Sequence, residues 1–220
     1  MASTRAASIS PDRRAADGAR PGSWTERSGA PTDGRVLRGE QTRLQIIDAT
    51  IELIHAGNPE PTSSQIASQA GVSVRLLFYH FRRMDDLFLS ATTRQFLRHR
   101  SLIAILPPKG PVEARIRATC RQRRQLFEAT APVLRMAYSR ADRSPVTYEV
   151  LAEKRLLLRR QVAVTLGPEI SLRGSRAPAL LETVALASGW HSWDALRSHS
   201  GYSANASEGL MASALVHLLG

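Results

Sequence analysis

The stretch "GVSVRLLFYHF", Gly71 to Phe81, gathers side chains whose types and spacing suit the reading of a nucleic acid. Arg75 offers a planar fork of donors that matches the O6/N7 edge of guanine, and it is the only long donor in the stretch. Val74, Leu76, Tyr79 and His80 would stand beside it in a groove or against its walls, with Leu77 and Phe81, four apart, turned inward and Phe78 at their edge. Ser63, Ser64 and Ser73 stand where helix starts present free amides, which suit phosphate oxygens. Arg43, Arg82 and Arg83 flank them as further phosphate partners. Other chemistries find no support. His55, His80, His99, His191, His199 and His217 show no spacing with Cys or carboxylates that zinc prefers. No glycine-rich phosphate loop, nucleophile elbow or Ser/His/Asp arrangement occurs, so no enzyme and no cofactor is expected.

The elements that position these residues can be read from periodicity and punctuation. In "EQTRLQIIDATIELIHAG", Leu44, Ile47, Ile51 and Ile54 recur at three- and four-residue steps, which predicts an amphipathic helix ended by Gly57 and Pro59. Thr62 stands three residues before Gln65, a capping box that starts a short second helix. Ala67 and Gly71, four apart, allow a close approach and a sharp turn, and Ser73 caps a third helix, "VRLLFYH". This is a helix-turn-helix pattern. Beyond it the spacing predicts helices at roughly 84–106, 112–130, 132–142 starting at Pro132, 145–167, 177–199 and 205–219, with "PEISLRGSR" as a loop. The chain therefore reads as all-α, about nine helices in three parts. These are a disordered basic tail (1–38), a DNA-reading head (39–83) and a helical domain for ligand and dimer contacts (84–220).

The formal charge is +11, almost all of it from Arg, since Lys occurs only at Lys109 and Lys154. Such a balance favours polyanionic partners. Yet residues 39–90 carry four basic side chains against six acidic, the tail seven against four, and residues 91–220 nineteen against nine. Most of the excess lies outside the reading head. The densest run, "RIRATCRQRRQLF" with Arg115, Arg117, Arg121, Arg123 and Arg124, spreads around a helix at about 3.6 residues per turn, so a solvated face is its first reading. A contact to an anionic ligand or a dimer partner ranks second for this run, and direct DNA contact third. A single cysteine, Cys120, leaves no pair for a disulfide, and no apolar run approaches the roughly 20 residues that span a bilayer. The first residues lack a secretory hydrophobic region. A soluble cytoplasmic protein with no membrane contact is expected.

In order and spacing, "IIDATIELI", "TSSQIASQAGVS", "LFYHF" and "DDLF" resemble the tetracycline-repressor (TetR) family across about residues 40–90. The resemblance implies a homodimer that binds a palindromic operator in double-stranded DNA, as a repressor released by a small-molecule effector. It also implies Gly, then Thr or Ser, at positions 75 and 76, Tyr at 78 and Lys at 84, where this chain has Arg75, Leu76, Phe78 and Met84. Three of those changes remove a hydroxyl or ammonium the resemblance would place on phosphates, the fourth adds the Arg75 guanidinium, and Arg35, Arg38, Arg43, Arg82 and Arg83 are the candidates for a relocated clamp. The alternative is a ligand-binding or scaffolding protein of the same fold with weakened or lost operator binding. Cys120, Met136, Tyr138, Tyr148 and Trp190 are candidate effector contacts, being mostly apolar with a few polar anchors. The small residues around Ala185 and Ser188, with Leu210, Met211, Ala214, Leu215 and Leu218, suggest a four-helix dimer interface.

Overall fold

A computed structural model describes residues 34–220, and among these every regular element is helical, as the periodicity predicts. Helix α1 spans Gly34–His55 and buries Ile46, Ile47, Ile51 and Ile54. It starts earlier than the apolar pattern: residues 34–38, assigned by composition to the tail, form its first turn with Val36 and Leu37 exposed. Extending a helix that packing has already nucleated costs little, so no apolar stripe is needed there. Residues 1–33, the rest of the expected basic tail, lie outside the described residues.

The capping box forms as read. Gln65 N donates to Thr62 Oγ1 at 3.3 Å and Thr62 N donates to Gln65 Oε1 at 2.9 Å, which starts α2 (Ser63–Gln69). Gly71 takes the turn at φ +65°, where a side chain would be strained. Ser73 Oγ then accepts from Leu76 N at 3.1 Å to open α3 (Val74–His80). Helix α4 spans Met84–Arg98 and gives way to a 3-10 turn, Arg100–Ile103, short of the expected end near 106. Side chains from later helices hold the following segment extended: Gln161 Nε2 donates to Ala104 O at 2.5 Å and Thr165 Oγ1 to Leu106 O at 3.1 Å.

Two expected helices fuse. Helix α5 runs unbroken over Val112–Ala141 with Pro132 inside it. A proline there forfeits one hydrogen bond, at a cost of about 3 kcal/mol, but Ala131, Val133, Leu134, Met136 and Ala137 are all buried around it. Helix α6 (Pro145–Thr165) is followed by a single-turn helix, α7 (Gly167–Ser171), where a loop was expected. The expected helix over 177–199 divides into α8 (Ala177–Ala187) and α9 (Trp190–Asp194), the latter continuing as a π turn to His199. At the break Gly189 N turns back to Leu186 O at 3.0 Å and Ser192 Oγ donates to the same carbonyl at 2.8 Å, so Leu186 O does not serve the next helical turn. The last helix, α10, spans Ala204–Leu219.

Two cores result. Helices α1–α4 enclose one of Ile46, Ile47, Ile66, Leu77, Phe81 and Leu87, to which α5 contributes Val133 and Met136. Helices α5–α10 enclose the other, with Phe127, Leu134, Val162, Trp190, Trp193 and Leu215.

Candidate DNA-reading surface and ligand cavity

Helix α3 buries Leu77 completely and Phe81 follows it inward, which leaves Val74, Arg75, Leu76, Phe78 and Tyr79 exposed on the other side. Phe78, expected at the edge of the core, is 41% exposed. Tyr79 stands out at 79%, its ring edge-on to His80 with centroids 5.3 Å apart. Arg75 makes no hydrogen bond or ion pair among the described residues, and Arg82 and Ser64 are likewise exposed. Ser63 is half-buried, and the Ser73 hydroxyl accepts the cap bond of α3. Arg43 does not reach outward as expected. Its guanidinium lies 4.9 Å from the centre of the Phe81 ring, and its Nη2 donates to Ser90 Oγ at 3.2 Å, which ties α1 to α4. Arg83 pairs with Asp85 at 3.4 Å while remaining largely exposed.

A cavity of about 680 Å³ opens among α4, α5, α6, α8 and α9. Its apolar wall is Phe96, Phe127, Leu134, Leu151 and Trp190, and Tyr138 lies parallel to Trp190 with planes 7° apart. Burial pushes the Tyr138 phenol above its ordinary pKa, so the ring keeps its proton and can donate. Of the expected effector contacts, Tyr138 and Trp190 line this cavity and three do not. Cys120 is fully buried in the core, its thiol pushed up to about 12 by that burial. Met136 packs against the reading head, and Tyr148 is 55% exposed.

The expected dimer residues also divide. Met211 and Leu215 are buried against α5 within the same subunit, Ser188 is buried at the break after α8, and Ala185 lines the cavity. Leu210 and Ala214 remain exposed on the outer face of α10, with Leu218 half-buried. A stripe at four-residue spacing, Ser207, Met211, Leu215 and Leu219, serves the subunit's own core, and a one-helix reading could not separate it from the adjoining outer face.

The arginine run of α5 is not one solvated face. Arg115 is 7% exposed, pairs with Glu169 and donates to Thr165 O at 2.7 Å. Arg124 reaches Glu208 on α10 at 2.5 Å. Arg123 is 1% exposed and bonds only neutral acceptors, Gln161 Oε1 and, at 2.9 Å, Leu158 O. Only Arg117 and Arg121 are exposed as expected.

Sequence reasoning missed the cavity's polar side: Lys154, Arg155 and Arg159 on α6, with Glu182 and His191 opposite. The signal was present in "LAEKRLLLRR", where Leu151, Arg155, Leu158 and Arg159 share one helix face. Nothing local marked Phe96 or Phe127 as cavity residues.

Residues 46–91 match the family model of bacterial regulatory proteins of the tetR family. No curated protein matches the chain. Among solved structures, a tetR-family transcriptional regulator from Streptomyces coelicolor is similar at TM-score 0.64 and 19% identity, covering 80% of this chain and 81% of its own. A transcriptional regulator from Rhodococcus sp. Rha1 has the same score and identity over 80% of this chain and 95% of its own. The multidrug binding protein EbrR, complexed with imidazole, is similar at TM-score 0.57 and 18% identity over 82% of this chain and 90% of its own. The family match is thus confined to residues 46–91, and the fold of the described residues is similar to that of these solved structures.

Proposed function

We propose that the chain is a homodimeric transcriptional repressor, released from a palindromic operator when a small ligand enters the cavity of about 680 Å³. The observation that carries this reading is the double role of α5. Its Leu134 and Tyr138 face the cavity, while Val133 and Met136 pack in the core of the reading head. Arg140, one turn on, stacks 4.0 Å from the Phe88 ring centre and pairs with Asp85 at 3.0 Å and Glu60 at 3.4 Å. A ligand that moves this stretch of α5 moves the head with it. Its effect on DNA cannot exceed its preference for the displaced arrangement. EbrR, of the same fold, is a multidrug binding protein, which supports a ligand in this domain.

Leu210, Ala214 and half-buried Leu218 on α10 supply the face for a second copy. Two reading heads fit one face of B-DNA at ~34–36 Å or a multiple of it. Arg75 is the principal base reader in this reading. Selection of binding sites from a random DNA pool should return a palindrome, and Arg75→Ala should relax one base pair of each half-site at a cost of about 1–3 kcal/mol. Unchanged specificity in the mutant would remove Arg75 from that role. The exposed Leu76 and Phe78 favour a second reading, a ligand-binding protein of this fold with weak or no operator binding. Recovery of no sequence from the pool, with an affinity for random duplex that barely depends on salt, would select it.

A further inference from the structure

The cavity walls carry an uneven charge. Lys154, Arg155 and Arg159 face one carboxylate, Glu182, and that carboxylate is already held by Arg159 at 2.6–2.7 Å. Lys154 reaches Glu153, an exposed carboxylate, at 3.2 Å. Arg155 has no hydrogen bond or ion pair among the described residues. Behind the wall lies Arg123, whose fully buried guanidinium has no carboxylate partner and whose Nε makes no hydrogen bond. It donates to the carbonyl of Leu158, itself a lining residue, and stands one turn before Phe127, another. A buried cation with only neutral partners sets a positive potential that nearby solvent does little to screen. The lining also holds an aromatic cluster: Tyr138 and Trp190 lie parallel with centroids 6.3 Å apart, Phe127 meets Trp190 edge-on at 5.7 Å and His191 meets Tyr138 edge-on at 4.6 Å. The Tyr138 hydroxyl makes no hydrogen bond among the described residues and adds one donor.

We propose that the cavity takes a planar aromatic carboxylate, its ring system against Trp190 and Tyr138 and its carboxylate on Arg155, which makes Arg155 the residue that sets the charge of the ligand. Stacking on an indole favours flat rings, and a guanidinium meets a carboxylate with two parallel bonds. Glu182, already engaged, does not offer the free anion that a cationic ligand would need. The proposal rests on the reading of this cavity as the effector site and deepens it.

Calorimetric titration of the full chain with four probes tests it: naphthoate, naphthylmethanol, naphthylmethylammonium and octanoate. Naphthoate should bind most tightly. Arg155→Met should weaken it roughly ten- to hundredfold, as expected for loss of a charge-assisted pair, and leave naphthylmethanol unchanged, which also reports that the variant is folded. Arg160→Met, a change of the same charge on the same helix at an equally exposed position outside the cavity lining, should leave both unchanged. Tighter binding of the alcohol or the ammonium, or equal binding of octanoate, overturns the proposal and leaves the effector reading standing. Binding of none of the four overturns both. Equal loss in the Arg155→Met and Arg160→Met variants would show net charge at work and remove Arg155 from its assigned role.

Discussion

The reading head and the ligand domain are held together by different physics. In the head, the buried hydroxyls of Thr50 and Thr92 donate to the carbonyls of Ile46 and Phe88 in their own helices, and the ion pairs between helices, Arg94 and Arg98 of α4 to Asp48 of α1, lie at the partly exposed rim of an apolar core. In the ligand domain buried polar ties cross the apolar core as well: Arg115 to Glu169, Arg123 to Gln161 and Gln161 to Ala104. Close-packed apolar contact has no preferred partner but resists any shift, so the head behaves as one body. Hydrogen-bonded seams have discrete geometries, and exchanging one set of partners for another gives a second arrangement. The proposed coupling of a ligand in the cavity to displacement of the head would draw on both kinds.

The largest effects should come from the head. Leu77→Ala removes a fully buried side chain that joins α3 to α1, and should cost about 2–5 kcal/mol. Denaturant unfolding should then resolve two transitions, with the head melting first. A single transition would show that the two regions unfold as one body despite their different seams. Second in size are the paired arginines. Arg115→Met strips Glu169 of its partner and should cost about 3 kcal/mol, whereas Arg123→Met removes a buried charge that no carboxylate balances and should cost about 1 kcal/mol or less. Equal losses would mean that Arg123 holds the α5–α6 seam as strongly as a true ion pair does.

The same division explains what could be read from the chain. Thr62, Gln65, Ala67, Gly71 and Ser73 act within a few residues of themselves, so capping, close approach and positive φ were all visible, and the match over residues 46–91 covers the region they occupy. Pro132 misled because its local cost is offset by non-local burial of Val133, Leu134 and Met136. The break at Gly189 involves Leu186 O, which takes Gly189 N and the Ser192 hydroxyl, a choice settled only by packing. Arg115 and Arg123 looked like surface charges because their partners, Glu169 and Gln161, lie 54 and 38 residues further along the chain. The cavity combined Tyr138 and Trp190, which composition could suggest, with Phe96, Phe127 and Arg155, which only the approach of five helices brings together.

The smallest predicted effect concerns the seam between the two regions. Gln95, 4% exposed, donates its side-chain amide to Ala129 O on α5 at 2.8 Å and lies 3.2 Å from His55 Nε2 on α1. Both amide hydrogens are then in use, so the imidazole nitrogen must accept, and it can do so only in the neutral ring. Burial, with His99 and Arg98 nearby, holds the His55 pKa below its ordinary value of 6.5. Because the folded value is the lower one, the contribution of this bond is present above the unfolded pKa and is lost as pH falls through the folded one. Thermal stability should therefore fall more steeply in the native chain than in His55→Gln as pH drops below the ordinary histidine value of 6.5, because the glutamine's side-chain oxygen accepts the same bond without titrating. The other histidines are common to both proteins, so the difference isolates His55. Parallel pH profiles would show that the seam does not depend on this acceptor and rests on Val133, Met136 and Arg140.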